Sequence, residues 1–153
     1  MVMRMLSIDG GGIRGILPGQ ILVALEEKLK TKSGDPNARI GDYFDLVAGT
    51  STGAILSAAY VCPDENGRPK FSAKEAVNFY LEDGDEIFDV GFWRSLGTLG
   101  GLNDEKYSAA ELERILETAF GEVKLSELLK PTCLISYDVK RRVPVIFKQH
   151  TAV

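Results

Sequence analysis

Two glycine-framed motifs, each between an apolar segment and a helical one, constrain the fold of this chain most. The sequence DGGGIRG at Asp9–Gly15 follows the mostly apolar segment Met3–Ile8. The sequence GTSTG at Gly49–Gly53 follows the mostly apolar segment Tyr43–Ala48 and leads into residues 51–60, which are mainly small and apolar. Buried strands that alternate with helices are typical of parallel sheets. The motifs therefore predict two buried strands, each followed by a glycine turn and a helix.

Helical signals continue through the middle of the chain. An apolar stripe at a spacing of four, made by Leu17, Ile21, Leu25 and Leu29 with Leu22 beside it, predicts a helix. A polar loop is predicted to follow over Thr31–Arg39. The segments Ser72–Glu75 and Ser108–Glu111 both fit the capping box, which predicts that helices begin there. Gly121 is predicted to end the second of these helices.

Two further strands are predicted near the end of the sequence. Thr132–Tyr137 and Val143–Phe147 are rich in β-branched residues and flank the basic segment Lys140–Arg142, which is typical of a turn. The resulting order, β-α-β-α-α-α-β-β, predicts a single α/β domain with a partly parallel central sheet.

Composition narrows the classes of function. The 153 residues carry a net charge of -4, and the pI is about 5.1. These values argue against nucleic acid as a partner, because proteins that bind nucleic acid present basic surfaces to it. The two cysteines form no disulfide framework, which favours a reducing, cytoplasmic compartment. No apolar run approaches the roughly 20 residues of a membrane span, so any membrane contact is expected to be peripheral.

The second motif has the G-x-S-x-G form that presents a serine on a sharp strand-to-helix turn. Gly49 and Gly53 flank Ser51 where side chains would crowd such a turn. A serine hydroxyl must be activated to act as a nucleophile, and the N-terminus of the following helix favours a developing negative charge. The alternative is a glycine-rich turn that contains a serine by chance.

The first motif has two possible uses. Successive glycines can aim backbone N–H groups at a carbonyl oxygen, which makes an oxyanion hole. Gly10, Gly12 and Gly15 also match the G-x-G-x-x-G dinucleotide fingerprint. That fingerprint requires an acidic residue at the tip of the next strand, whereas Asp35 lies in a polar loop. The serine motif therefore favours the oxyanion hole.

Together the two motifs resemble those of the patatin-like phospholipases, and Ile135–Asp138 resembles a strand end of that family. The resemblance implies a three-layer α/β/α sandwich that hydrolyses acyl esters of phospholipids or galactolipids at a membrane or micelle surface. It implies a Ser–Asp dyad without a metal or another cofactor. It assigns the nucleophile to Ser51, the oxyanion hole to Gly10, Gly11, Gly12, Arg14 and Gly15, and the nucleophile elbow to Gly49, Thr50, Thr52 and Gly53.

The resemblance leaves one catalytic part unassigned. The family's aspartate lies in a later Asp-Gly-Gly or Asp-Gly-Ala motif, and Asp83-Gly84-Asp85 lacks the surroundings of that motif. Residues 1–153 are therefore expected to be the N-terminal portion of one patatin-like domain. Alone, this portion is expected to be inactive and to self-associate through an incomplete sheet.

Several alternatives stay open at this stage. Ser51, Asp138 and His150 follow the chain order of an α/β-hydrolase triad, although His150 is more typical of a surface residue. Asp9 is expected to accept local N–H bonds, and Arg14 either orients the glycine loop, meets a lipid phosphate or is solvated. The segment Gly91–Asp104 is a candidate lid. A non-catalytic binding or assembly module is the alternative class of function.

Overall fold

A computed structural model of the chain describes residues 2–81, 105–138 and 140–152. The strands are β1 (Met5–Ile8), β2 (Leu46–Thr50), β3 (Thr132–Asp138) and β4 (Val143–Lys148). The helices are α1 (Ile16–Ser33), α2 (Ile40–Tyr43), α3 (Thr52–Val61), α4 (Ala73–Leu81) and α5 (Glu105–Phe120). Short 3₁₀ turns cover Gly12–Gly15, Leu125–Glu127 and Gln149–Thr151. The candidate lid and the segment Asp83-Gly84-Asp85 lie outside the described residues.

The strands form one mixed sheet in the order β1-β2-β3-β4. Strands β1, β2 and β3 are parallel, and β4 is antiparallel to β3. The predicted α/β class and partly parallel sheet are therefore confirmed. Because crossovers between parallel strands are right-handed, this sequential strand order puts the connecting helices on one face.

The hydrophobic core lies on that face of the sheet. Its clusters take Leu6, Ile8 and Val47 from β1 and β2 and pack them against helical residues such as Leu56 and Tyr60. The described residues thus supply the sheet and one helical layer of the three-layer sandwich.

Strand β1 differs from its prediction. It begins at Met5 rather than Met3, and both methionines are exposed. The expectation of a buried strand is confirmed on one face, where Ile8 is 3% exposed, and is wrong on the other face, which no described residue covers. Tyr137 and Ile146, on the other strands, are also exposed.

The predicted apolar stripe of helix α1 is confirmed in part: Leu25 and Leu29 pack against the core and Leu22 is buried, but the first two residues of the stripe are exposed. Leu17 and Ile21 are 66% and 69% exposed, whereas Gly19, Leu22 and Glu26 are buried. Gly19 lies against α4, since a Cβ there would lie 2.5 Å from Cγ2 of Val77 on α4. The absence of a side chain at Gly19 lets the two helices approach closely. The apolar pattern did not predict the burial of Gly19 and Glu26, because neither residue is large and apolar.

Glu26 joins three helices. Its carboxylate is 2% exposed and accepts hydrogen bonds from the N–H groups of Ile40 and Ala73, each at 3.1 Å. These are the first residues of α2 and α4, whose N–H groups have no acceptor within their own helices. Lys30 lies 3.4 Å from the same carboxylate and balances its charge. The buried carboxylate of Glu26 in α1 thus caps the N-termini of α2 and α4.

The predicted helix boundaries are partly confirmed. Ser72 and Glu75 form the capping box, with bonds of 2.8 Å from Ser72 N–H and 3.2 Å from Glu75 N–H, and α4 begins at Ala73. The bonds from Ser72 lower the pKa of the Glu75 carboxyl. Gly121, at φ 56°, ends α5 as predicted. The predicted start at Ser108 was wrong, since α5 begins at Glu105, in residues of good helix propensity.

The end of α1 and the start of β2 also differ from their predicted positions. Helix α1 continues through the start of the predicted polar loop to Ser33 and ends at Gly34, which adopts a left-handed φ of 71°. Strand β2 begins at Leu46 rather than Tyr43, because Tyr43 closes the short helix α2.

The role of Glu26 predicts a large stability effect. Glu26→Ala is expected to lower the free energy of unfolding by about 3 kcal/mol, because two buried N–H groups lose their acceptor. Urea denaturation measures this change. The matched control is Glu27→Ala, because exposed Glu27 also pairs with Lys30, at 2.8 Å. The control is expected to change stability by less than about 1 kcal/mol. Equal effects of the two variants would contradict the capping role.

Candidate active site

The two glycine motifs meet at one edge of the sheet. Strands β1 and β2 are parallel neighbours, and Ile8, the last residue of β1, pairs with Gly49 near the end of β2. The turns that follow the strands therefore lie side by side at the carboxyl end of the sheet, where ligands of open α/β sheets bind. This register brings Asp9–Gly15 against Gly49–Gly53.

Ser51 has a strained backbone. It lies between β2 and α3 with φ 51° and ψ -124°, a conformation that favours glycine, and it is exposed. Its N–H donates to the carbonyl oxygen of Ile135 on β3 at 2.9 Å, which fixes the turn to the sheet. Such strain costs about 1–3 kcal/mol and is found most often at functional sites.

The strain also keeps the Ser51 hydroxyl from capping α3. Ser51 occupies the N-cap position of that helix, where serine ordinarily has extended φ and ψ and accepts an N–H bond from the first turn. At φ 51° it makes no such side-chain bond. The hydroxyl at the start of α3 is thus not engaged in holding the helix, and it lies where the helix dipole favours negative charge.

The elbow requires both of its glycines. A Cβ on Gly49 would overlap the carbonyl oxygen of Gly53 and lie 2.5 Å from the Ser57 hydroxyl oxygen. A Cβ on Gly53 would overlap the carbonyl oxygen of Ile8 at the end of β1. The hydroxyl of Ser57 donates to the carbonyl oxygen of Ala48 at 2.9 Å and ties α3 to β2. Close backbone packing therefore explains the framing glycines of the motif.

Threonine hydroxyls connect the elbow to the glycine loop. Gly10 N–H donates to Oγ1 of Thr50 at 2.8 Å, and Gly11 N–H donates to Oγ1 of Thr52 at 3.2 Å. A Cβ on Gly10 would lie 2.8 Å from Cβ of Ser51. The expectation that Asp9 accepts the local N–H bonds was wrong, because the threonines take them. Among the described residues no hydrogen bond reaches the Asp9 carboxylate.

The remaining residues of the first motif form a tight turn. Gly12, buried and at φ 60°, begins the 3₁₀ turn, so its N–H and that of Ile13 have no acceptor within the turn. Arg14 bends back to the loop and donates to Gly11 oxygen through its N–H at 3.2 Å and Nε at 3.4 Å. Of the three uses considered for Arg14, these bonds fit orientation of the loop. Gly15 is buried where the turn joins α1.

Asp138 lies near the same edge of the sheet but is engaged elsewhere. Its carboxylate accepts the N–H of Arg141 at 2.9 Å, and Nε of Arg141 lies 3.7 Å away. Arg142 has a left-handed φ of 56° in the same connection between β3 and β4. Asp138 thus stabilises the turn between these strands.

His150 lies at the opposite edge of the sheet from Ser51. Lys148, the last residue of β4, is level with Cys133 near the start of β3, and β4 runs antiparallel to β3. The chain beyond Lys148 therefore moves away from the carboxyl end of β2. Gln149 holds this segment by donating to the carbonyl oxygen of Ser126 at 3.1 Å. The fold does not bring Ser51, Asp138 and His150 together.

Other reactive groups lie outside the site. Cys62 and Cys133 are free thiols, and burial raises the pKa of the Cys62 thiol. Within residues 2–81, 105–138 and 140–152, no cluster of His, Cys, Asp or Glu is placed to hold a metal ion. No helix in the same residues is long and apolar enough to cross a membrane.

A family profile and individual relatives both match this chain over nearly its whole length. The family profile described as "Patatin-like phospholipase" matches residues 6–151. Patatin-like protein 4 of Arabidopsis thaliana is 39% identical over 151 residues, which cover 99% of this chain and 38% of that protein. Patatin-17 of Solanum cardiophyllum is 41% identical over 146 residues, covering 95% of this chain and 36% of that protein. The chain thus spans less than two fifths of the length of these relatives.

The strain at Ser51 predicts an unusual order of stabilities. Ser51→Gly and Ser51→Ala both remove the hydroxyl, but only glycine adopts the observed φ without strain. We expect Ser51→Gly to be more stable than Ser51→Ala by about 1 kcal/mol, because relief of strain exceeds the greater chain entropy of glycine. Urea denaturation of the two variants tests this. An alanine variant at least as stable as the glycine variant would show that the elbow is relaxed.

Proposed function

The chain belongs to the patatin-like phospholipase family, and from that premise we propose that it carries the nucleophile and the oxyanion-binding groups of a lipid acyl hydrolase. One observation carries the proposal. Ser51 is held in a strained conformation at the carboxyl edge of a parallel sheet, beside a loop of three glycines. A strained, exposed serine whose hydroxyl does not cap its helix is suited to nucleophilic attack.

The proposed first step is attack on an ester carbonyl. Oγ of Ser51 bonds to the carbonyl carbon and gives up its proton to a general base, while the carbonyl electron pair moves to oxygen. Backbone N–H groups of the glycine loop and the N-terminus of α3 stabilise this oxyanion. The tetrahedral intermediate then expels the alcohol, which takes up the proton. Water hydrolyses the resulting acyl-serine and regenerates the hydroxyl.

The hydrogen bonds of the loop support Gly12 as the glycine whose N–H contacts the oxyanion. The N–H groups of Gly10 and Gly11 already donate to threonines, whereas the N–H of Gly12 has no acceptor in its turn. We assign the oxyanion contact to Gly12 and its neighbour Ile13, with Arg14 holding the loop. Phospholipids or galactolipids at a membrane or micelle surface are the proposed substrates, and a cytoplasmic location stays a prediction.

We propose that the general base is an aspartate outside residues 1–153. A serine hydroxyl at neutral pH needs a base within hydrogen-bond reach. Asp138 is the nearest candidate on the neighbouring strand, and its carboxylate is bound to Arg141. The matched residues cover 38% of Patatin-like protein 4, so a relative of that length has room for such a residue outside the matched part.

The two alternative functions are less well supported. A phosphate cradle needs several N–H groups that face one point, and two of the three glycine N–H groups are engaged. Asp35 accepts the N–H of Asn37 at 2.8 Å in a local turn, away from any strand end. A binding module gains nothing from a strained serine, because Ser51→Gly would relieve that strain without loss of binding.

Kinetic analysis of the full-length parent protein tests the nucleophile. Ser51→Ala is expected to lower kcat for ester hydrolysis by several orders of magnitude, because the hydroxyl forms the covalent intermediate. The control is His150→Ala, which is expected to change activity less than about threefold, because His150 lies at the far edge of the sheet. Unchanged turnover of Ser51→Ala would refute the assignment, and an equal loss in both variants would indicate a triad.

A comparison of two lengths tests the origin of the base. Residues 1–153 alone are expected to hydrolyse a fluorogenic phospholipid far more slowly than the parent protein, because they lack the proposed aspartate. They are also expected to self-associate through the sheet face that exposes Met5, Tyr137 and Ile146. Size-exclusion chromatography measures this association. Full turnover by the short chain would place the base within it, and Asp138→Asn would then be the first variant to measure.

A further inference from the structure

We propose that Thr50 and Thr52 are positioning residues that hold the oxyanion loop in register with the nucleophile. This inference rests on the proposed hydrolase function. The two threonines flank Ser51 on either side, and their hydroxyls accept the N–H groups of two successive glycines of the other motif.

We call the hydrogen bonds from Gly10 N–H to Thr50 and from Gly11 N–H to Thr52 the brace. The brace joins two segments that are distant in sequence. Gly10 and Thr50 are 40 residues apart, and Gly11 and Thr52 are 41 residues apart, yet their bonds measure 2.8 and 3.2 Å. Because Thr50 belongs to β2 and Thr52 begins α3, the loop is tied to the elbow on both sides of Ser51. Movement of the loop away from the nucleophile therefore breaks two hydrogen bonds.

The brace also decides where the loop directs its donors. With the N–H groups of Gly10 and Gly11 turned to the threonines, Gly12 is the glycine of the motif whose N–H begins the 3₁₀ turn without an acceptor there. Its left-handed φ of 60° follows directly after the braced residues. Loss of a threonine acceptor leaves a glycine N–H without its partner and removes one of the two hydrogen bonds that tie the loop to the elbow.

The position of Thr52 suits this role. Thr52 is buried at the start of α3. Here its Oγ1 accepts a bond from a different segment. Oxyanion stabilisation depends on donors fixed before the reaction, and a displacement of about 1 Å can lower the rate about 10²-fold. The brace thus acts on the transition state more than on substrate binding.

The test uses the full-length parent with Thr50→Val, Thr52→Val and both together. Valine keeps the shape of threonine and removes the acceptor. We expect kcat to fall about 10- to 100-fold in each variant, with KM changed less than about twofold. Thr50→Ser and Thr52→Ser retain a hydroxyl and are expected to restore kcat to within about threefold of the wild type. The matched control is Thr132→Val, a buried strand threonine whose hydroxyl bonds Lys130 oxygen at the other end of the sheet.

Hydrogen–deuterium exchange provides a readout that does not depend on activity. Peptides that contain Gly10 and Gly11 are expected to exchange faster in the valine variants and at the wild-type rate in the serine variants and in Thr132→Val. Wild-type kcat in both valine variants, or unchanged exchange, would overturn the brace. If the parent protein does not hydrolyse esters, or if Ser51→Ala leaves the hydrolysis unchanged, the proposed function fails. The exchange rates then still decide whether the threonines hold the loop.

Discussion

The close approach of the glycine loop to the serine elbow is the constraint on which this site depends. The β1–β2 register sets the two turns side by side, and the missing side chains of Gly10, Gly49 and Gly53 let them pack backbone to backbone. A Cβ on Gly10 would meet the carbonyl oxygen of Thr50, and a Cβ on Gly53 would meet that of Ile8 at the end of β1. A Cβ on Gly49 would meet the carbonyl oxygen of Gly53 within the elbow itself. The strained φ of Ser51 is held by this packing and by its bond to Ile135 on the third parallel strand. Strain of this kind persists only where the surroundings determine the conformation.

The helices on one face of the sheet support this arrangement. Helix α1 continues directly from the 3₁₀ turn of the glycine motif, so whatever fixes α1 also fixes the loop. Gly19 allows α1 to pack closely on α4, and the Glu26 carboxylate binds α1 to the N-termini of α2 and α4. A buried charge is stabilising only when its partners satisfy it, as the two N–H groups and Lys30 do here. The contacts that hold α1 in the core therefore also hold the glycine loop of the site in place.

The sequence predicted the parts of the fold that depend on local signals. The two glycine turns, the sheet strands, the Ser72–Glu75 cap and the Gly121 end are each encoded by a few neighbouring residues. The pattern in helix α1 predicted Leu25 and Leu29 correctly but also included the exposed Leu17 and Ile21, because the contact with α4 depends on Gly19 and Glu26, which apolar periodicity does not detect. The exposed face of β1 was not predicted because local patterns do not report whether another layer covers that face of the sheet, and Tyr137 on the central strand β3 is exposed there as well.

The same distinction applies to the candidate site. Ser51 and its glycines follow from the G-x-S-x-G pattern, but the partners of the loop N–H groups do not. Asp9 was the expected acceptor because it is adjacent in sequence, whereas Thr50 and Thr52 are adjacent in space. A signal was present, since two hydroxyl residues flank the nucleophile, but the register of β1 and β2 was needed to interpret it.

The most direct measurement is the site of covalent modification in the full-length parent protein. A fluorophosphonate reacts only with a serine that is both activated and placed near oxyanion donors. After digestion, tandem mass spectrometry identifies the modified residue. The account predicts a single adduct on Ser51, absent when the protein is unfolded before treatment. A parent protein that hydrolyses lipid esters but carries its adduct on another serine, or none, would contradict the claim that the strained elbow is the catalytic centre.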